Sequence, residues 1–221
     1  MGCVPQEYLC LHSSYENVDI YVTTTSITRM TKLRNGVLVV PGSYLLNNSK
    51  NVSFLADQIN HLGYLSAVAQ NLNDPITTES KFKRAFPEQT IFLLVVGEQV
   101  LGFIKTGKRR LFLSNGSSDL IDSNPICVLD FFIKDQRCGY GTILFNAMLS
   151  VHKISPFALA FDRPSEKLKS FLIKKFNFLT ILQQSNFFAI SSYFFHPESH
   201  RLHVYETTPC SLPIRFIDKL D

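Results

Sequence analysis

The sequence predicts an α/β domain with a mixed central sheet flanked by helices. Two patterns point there. Strand-length apolar runs alternate with amphipathic stretches in the order β-turn-α-β-α-β through the second half of the chain, and antiparallel strand signals precede them. Length supports a single unit: 221 residues with 45% hydrophobic content can bury roughly 70% of their unfolded surface around one core. Residues 1–195 are read as that domain, and 196–221 as a polar, Pro-punctuated tail.

Taken in order, the β-branched runs Ile20–Thr23 and Val37–Val40 read as short strands separated by a turn at Arg34-Asn35-Gly36. Val52, Leu55, Ile59 and Leu62 then recur at helical spacing behind the candidate caps Asn48 and Ser49, giving a helix that runs to about Gln70. Asn73-Asp74-Pro75 closes it. Thr90–Val96, the turn Gly97-Glu98 and Val100–Thr106 form a hairpin, with Leu111–Leu113 extending the meander beyond a basic tip at Lys108-Arg109-Arg110 and a loop from Ser114 to Asn124. The nearly unbroken apolar run Ile126–Ile133 is the central strand. A helix with Ile143, Leu144, Ala147, Met148 and Val151 on one face follows, then a strand Phe157–Phe161. Ser165 caps a further helix bearing Leu168, Phe171, Leu172 and Phe176, and aromatic strand residues Asn186–Phe195 close the domain.

Composition excludes several classes. A net charge of +4 with 18% charged residues is too modest for a polyanion-coating protein, so no nucleic-acid partner is expected. Five cysteines without CxxC spacing do not make a secreted disulfide scaffold, and a reducing, cytoplasmic setting fits them. The longest strong apolar run, Ile91–Val96, is far short of the roughly 18 residues a membrane span needs. Met1-Gly2-Cys3 fails the acylation pattern because Gln6 stands where Ser or Thr belongs. His196, His200 and His203 sit in the polar tail without a strong fourth ligand, so no metal site is assigned.

The chemistry concentrates between the central strand and the helix after it. Gly139 and Gly141 let backbone N–H groups approach a phosphate at the positive end of the helix dipole, which makes this corner an anion site suited to a pyrophosphate. A Walker-type loop needs Gly-Lys before Ser or Thr, whereas Thr142 follows Gly141 directly. A dinucleotide fingerprint lacks its third glycine, Leu144 standing there, and would not follow an antiparallel meander.

Gln136-x-x-Gly139-x-Gly141 between strand and helix resembles the pyrophosphate loop of the GNAT superfamily of acyl-CoA-dependent N-acetyltransferases. Narrower blocks, Cys127-Val-Leu-Asp-Phe-Phe-Ile133, Ala158-Leu-Ala-Phe-Asp162-Arg-Pro-Ser165-x-Lys167-Leu168 and Ala69-Gln70-Asn71-Leu72 with Pro75-Ile76-Thr77, resemble the α-tubulin N-acetyltransferase family in that family's order. The match runs from about Val52 to Phe195, and residues 1–45 match poorly. The resemblance implies a GNAT-type fold and acetyl transfer from acetyl-CoA to a lysine in the luminal loop of α-tubulin. It also implies a place at microtubules of the cytoskeleton, in cilia among them. The rivals are a GNAT enzyme for another protein lysine or small amine, and an acetyl-CoA-binding module without turnover.

A lysine ammonium with a pKa near 10.4 must lose a proton before it attacks a thioester, so the site needs a base. Asp162, at the end of its strand, is the candidate for that role. The resemblance adds Cys127 as a second proton-handling residue and Gln70 as an orienting group. It places the cofactor along Phe131, Phe132, Ile133, Gln136, Arg137, Cys138, Gly139, Tyr140, Gly141 and Thr142, with Ser165, Lys167 and Lys174 beyond, and gives Arg163 and Phe188 to the substrate. In the fold the resemblance implies, the strand around Phe131 to Ile133 is splayed from its neighbour to admit the cofactor, and its backbone N–H groups would stabilise the oxyanion. Plainer readings stand beside these. A buried cysteine often serves as a small hydrophobe, Asp162 can close a turn, Gln70 can end its helix, and Lys108-Arg109-Arg110 can face acidic tubulin or only water. The link Lys134-Asp135 is about two residues shorter than the family's, and Thr142 stands where a basic residue is common.

Overall fold

The computed structural model describes residues 19–23, 35–46, 50–85, 87–116, 119–196 and 214–217. In chain order these residues form β1 (Asp19–Thr23), β2 (Asn35–Pro41), α1 (Lys50–Ala69), α2 (Glu79–Arg84), β3 (Gln89–Val96), β4 (Gln99–Lys108), β5 (Leu111–Ser114), β6 (Leu120–Ser123) and β7 (Ile126–Ile133). Next come α3 (Tyr140–His152), β8 (Ala160–Asp162), α4 (Glu166–Phe176), β9 (Ile181–Gln183), β10 (Phe188–Ser191) and β11 (Ile214–Ile217). Nine of the described strands make one sheet in the order β11-β1-β2-β3-β4-β7-β8-β10-β9. The pairs β1–β11, β1–β2 and β7–β8 are parallel and the others antiparallel, so the sheet is mixed.

Strand alternation divides the core into two faces. Leu38, Val40, Ile91, Leu93, Val95 and Phe103 pack under Val52, Leu55, Ile59 and Leu62 of α1 and Phe82 of α2. Val37, Val39, Phe92, Leu94, Ile104, Val128 and Phe161 pack against Leu144, Phe145, Ala147 and Met148 of α3 and Leu172 of α4. Both faces of β3 are therefore buried, and each side chain of this size contributes about 1.5–3 kcal/mol on leaving water. The layers are helix, sheet, helix.

Several local expectations need correcting. Asn35 and Gly36 are the first residues of β2, paired with Val96 and Val95, and do not form the expected turn. Leu111–Leu113 does not extend the meander: β5 pairs with β6 in a separate hairpin, which places a strand inside the segment read as a loop. The expected strand from Phe157 begins with a 3-10 turn at Pro156–Ala158, and β8 covers only Ala160–Asp162. The short helix α2 went unread because it carries little apolar periodicity; Thr78 caps it by accepting from the Lys81 N–H. Ile214–Ile217, within the expected tail, is an edge strand on β1. Asn48, Ser49, His200 and His203 lie outside the described residues.

Candidate active site

Two strands that begin together and then part define the site. The β7–β8 ladder contains only the pairs Cys127–Ala160 and Val128–Phe161. From Leu129 onward β7 has no strand partner on that side among the described residues. On its other side β7 stays paired with β4, Phe132 opposite Phe103 and Ile133 opposite Gly102. The Lys134 N–H donates to the Leu101 carbonyl at 2.8 Å. Antiparallel ladders alternate the direction of their amides, so Phe132 and Asp130 also point toward β4, while the N–H groups of Phe131 and Ile133 face the opening.

A bulge sets up this geometry. Lys105 pairs with Asp130 and Thr106 with Val128, leaving Leu129 as the extra residue of β7. Such an insertion bends the strand and re-aims the side chains beyond it. Cys127 and Leu129 line one small core with Ala160 and Ile190, and Phe132 packs on the α1 face, while Phe131 and Ile133 pack on the α3 face. Phe145 of α3 closes the opening from below, its ring 6.3 Å from Phe131 and 6.4 Å from Phe161 between centroids. Phe171 of α4 joins at 5.7 Å from both Phe131 and Phe145.

At the far end of β7, Gln136, Arg137 and Cys138 form an exposed loop before Gly139. Gly139 adopts φ 81° at the N-cap of α3 with no side chain capping the helix, and Arg137 also has a positive φ of 66°. Alternating left-handed residues turn successive amides to one side, and the first turn of α3, which begins Tyr140-Gly141-Thr142, carries no acidic residue to compete with an anion. Gly141 packs beneath Phe131 and Phe171. Ser165 caps α4, its Oγ accepting from the Leu168 N–H at 3.3 Å. Lys167 and Lys174 are exposed and two turns apart, so they share a side of α4.

Cys127 and Asp162 project from the strand tips on the same face, since Cys127 pairs with Ala160 two residues before Asp162. Cys127 is fully buried, its Sγ 3.6 Å from the Pro125 carbonyl, and burial pushes its thiol up to about 12. It therefore keeps its proton at neutral pH. Partial burial also raises the Asp162 carboxyl above its ordinary value, opposed by the positive charges of Arg163, Lys105 and Arg109. Phe188 pairs with Asp162 across β10–β8. Arg163, at φ 42°, stacks over the exposed ring of Phe187 at 5.2 Å, which makes Phe187 part of the rim.

Gln70 follows α1 and reaches the sheet from the helix side. Its Nε2 donates to Ser66 Oγ at 2.9 Å and to Asp130 Oδ1 at 3.2 Å. Asp130 is 6% exposed and also accepts from Ser66 Oγ at 3.0 Å and from Thr77 Oγ1 at 2.6 Å. Lys105, opposite Asp130 on β4, donates to the Ile76 carbonyl at 3.0 Å. Desolvation brings its ammonium down to about 8, the Asp130 charge working in the other direction.

The fold thus gathers Gln70, Cys127 and Asp162 on the α1 face and runs Phe131–Ile133 and the glycine corner along the opening. Asp130 and Lys105 were missed as members of this cluster. The signal was available: each is an ionisable residue inside an apolar strand, where a charge is tolerated only with partners. Arg109, read as a hairpin tip, instead bears electrostatically on both Cys127 and Asp162.

Known proteins are similar to this chain in sequence. An α-tubulin N-acetyltransferase of Tetrahymena thermophila is 33% identical over 166 residues, covering 74% of this chain and 41% of that protein. One of Schistosoma japonicum is 36% identical over 175 residues, covering 72% of this chain and 65% of that one. One of Plasmodium vivax is 38% identical over 160 residues, with coverages of 70% and 85%. The chain thus spans about two fifths to two thirds of the length of the first two. Residues 18–211 match the family described as GNAT acetyltransferase, Mec-17, and the chain belongs to that family.

Proposed function

We propose that this chain transfers the acetyl group of acetyl-CoA to the side-chain amine of a lysine in the luminal loop of α-tubulin, at microtubules. The observation that carries the reading is the parting of β7 from β8, with a glycine corner at one end and Asp162 at the other. The names of the relatives supply the protein substrate. No described helix is long and apolar enough to cross a membrane.

The residues fit an extended acyl-thioester carrier. The outward amides of Phe131 and Ile133 offer strand-like hydrogen bonds along it, and the corner from Gln136 to Thr142 offers backbone donors to its diphosphate. Lys167 and Lys174 bring positive charge from α4. When bound, acetyl-CoA supplies an activated acyl carbon and a thiolate leaving group.

Asp162 accepts the proton of the incoming ammonium. A raised carboxyl narrows the gap to the lysine, whose own affinity for the proton falls as it enters a partly buried site. Cys127 at about 12 keeps its proton, so it neither takes one from the ammonium nor readily gives one up. The proton that Asp162 takes from the ammonium is the one available to the departing thiolate, directly or through solvent. Phe188, Arg163 and Phe187 border Asp162 and form the side from which the protein substrate approaches.

The test is acetylation of assembled microtubules by the full chain with acetyl-CoA, mapped by mass spectrometry, beside free tubulin, lysine peptides and polyamines. The expected result is acetylation of one α-tubulin lysine at a rate at least tenfold above the other amines. Equal turnover of the small amines overturns the tubulin assignment, and acetyl-CoA binding without any transfer overturns the enzyme assignment.

A further inference from the structure

We propose that Asp130 is a positioning residue for Gln70. Together with Ser66, its buried carboxylate takes both N–H donors of the Gln70 amide and leaves the carbonyl oxygen Oε1 as the polar group that side chain offers to an incoming amine. The inference rests on the acetyl-transfer reading, in which the site takes a lysine.

The hydrogen-bond inventory forces the amide's orientation. The single hydroxyl hydrogen of Ser66 goes to Asp130 Oδ1 at 3.0 Å, so toward Gln70 Ser66 can only accept. The Asp130 carboxylate also receives the Thr77 hydroxyl, at 2.6 Å, and accepts from every partner it has here. Both groups facing Gln70 are therefore acceptors, and only Nε2, at 2.9 Å and 3.2 Å, satisfies them. Turning the amide would set Oε1 against a carboxylate oxygen and a hydroxyl lone pair.

The frame behind that orientation is dry and rigid. Ser66 and Thr77 are each 1% exposed, Lys105 5% and Asp130 6%. Asp130 owes its direction to the Leu129 bulge, which keeps it on the α1 face, and Lys105 faces it across the β4–β7 ladder while tying down the Ile76 carbonyl. Gln70 itself is exposed. A flexible, exposed side chain held by two donors to a buried anchor loses rotamer freedom at a site where Ser66 and Thr77 already serve the carboxylate. The outcome of that ordering is a fixed carbonyl oxygen, the acceptor that suits an ammonium or amine N–H and rejects a carboxylate.

The experiment is a double-mutant cycle with a spectroscopic arm. Asp130→Asn keeps the volume but offers one acceptor and two donors, so it no longer holds the amide in one orientation. The expected result is a 10- to 100-fold loss in kcat with KM for acetyl-CoA within twofold of wild type. In a Gln70→Ala background the same substitution costs less than twofold. In an ¹⁵N–¹H spectrum, the Gln70 side-chain amide, assigned by its loss in Gln70→Ala, shifts and exchanges faster in Asp130→Asn. Ser66→Ala keeps the buried carboxylate bonded to Thr77 and frees one donor, so it shows a smaller shift in the same sense even if Asp130→Asn folds poorly. Losses that multiply in the double variant, or an amide signal unmoved in both variants, overturn the proposal. If wild type transfers no acetyl group while the amide signal shifts as described, the acetyl-transfer reading fails and the positioning of Gln70 stands.

Discussion

Gly63→Ala is expected to destabilise the protein although it replaces glycine by the best helix former in the interior of α1. On propensity alone the change would gain about 1 kcal/mol. In this fold a Cβ at position 63 would stand 1.8 Å from the Thr77 carbonyl oxygen and 2.9 Å from its carbon. Since real Cβ contacts essentially never fall below 3.0 Å, helix and loop must separate by more than 1 Å. Overpacking of this kind costs about 1–3 kcal/mol. Separation also stretches the 2.6 Å bond from Thr77 to Asp130, and a hydrogen bond to a charged group contributes about 1.5–3 kcal/mol. Set against the propensity gain, the net loss is about 1.5–5 kcal/mol, or roughly 3–20 °C in Tm for a chain of this size. Urea denaturation followed by circular dichroism measures it. A variant as stable as wild type, or more stable, refutes the close approach of α1 to the Thr77 backbone and with it the frame around Asp130.

Three further outcomes follow from the same geometry. Asp162→Asn should lower acetyl transfer by about 10²–10⁴-fold without lowering Tm at pH 7, because the raised carboxyl means the folded state holds its charge at a cost. In wild type that handicap fades as pH falls through the folded pKa toward 3.8, so the variant's advantage should shrink there in a pH series of melting curves. Lys105 is the mirror case. Its ammonium titrates near 8 in the fold and at 10.5 when unfolded, so from pH 8 to 10.5 the unfolded chain binds the extra proton and wild type should gain up to about 3 kcal/mol relative to Lys105→Met. Finally, iodoacetamide at pH 7.5 should alkylate exposed Cys138 and spare buried Cys127, with acetyl-CoA protecting Cys138; peptide mapping reads both, and no protection would argue against occupancy of the glycine corner.

The sequence made the scaffold legible where burial is periodic. Leu55, Ile59 and Leu62 announced α1, Ile91–Val96 announced a hairpin strand, and the apolar run of β7 with glycines after it announced the strand, corner and helix on which the site is built. Pairing partners were less legible, because β-propensity says that a segment is extended but not what it lies beside. Leu111–Leu113 has the composition of a meander strand, yet it pairs with Leu120–Ser123. In the site, the roles of Cys127 and Gln70 came from resemblance and remain proposals. Their surroundings could not be read at all, because Asp130 meets Ser66 and Thr77 across separations of 64 and 53 residues that no local pattern encodes. The parting of β7 from its neighbour was expected from the resemblance alone; its local cause was hidden, because one residue out of step at Leu129 leaves no mark on hydrophobicity.

That one residue reaches beyond its own position. Drawing Leu129 into a regular pleat of β7, with no residue removed, would reverse the phase of every earlier side chain relative to every later one, so that Cys127 and Asp130, three apart, could no longer share a face. A strand paired that way would keep all its apolar content and still mix up its two cores. The surface proposed for catalysis is thus held in register by a counting irregularity, one residue of β7 that the ladder with β4 passes over.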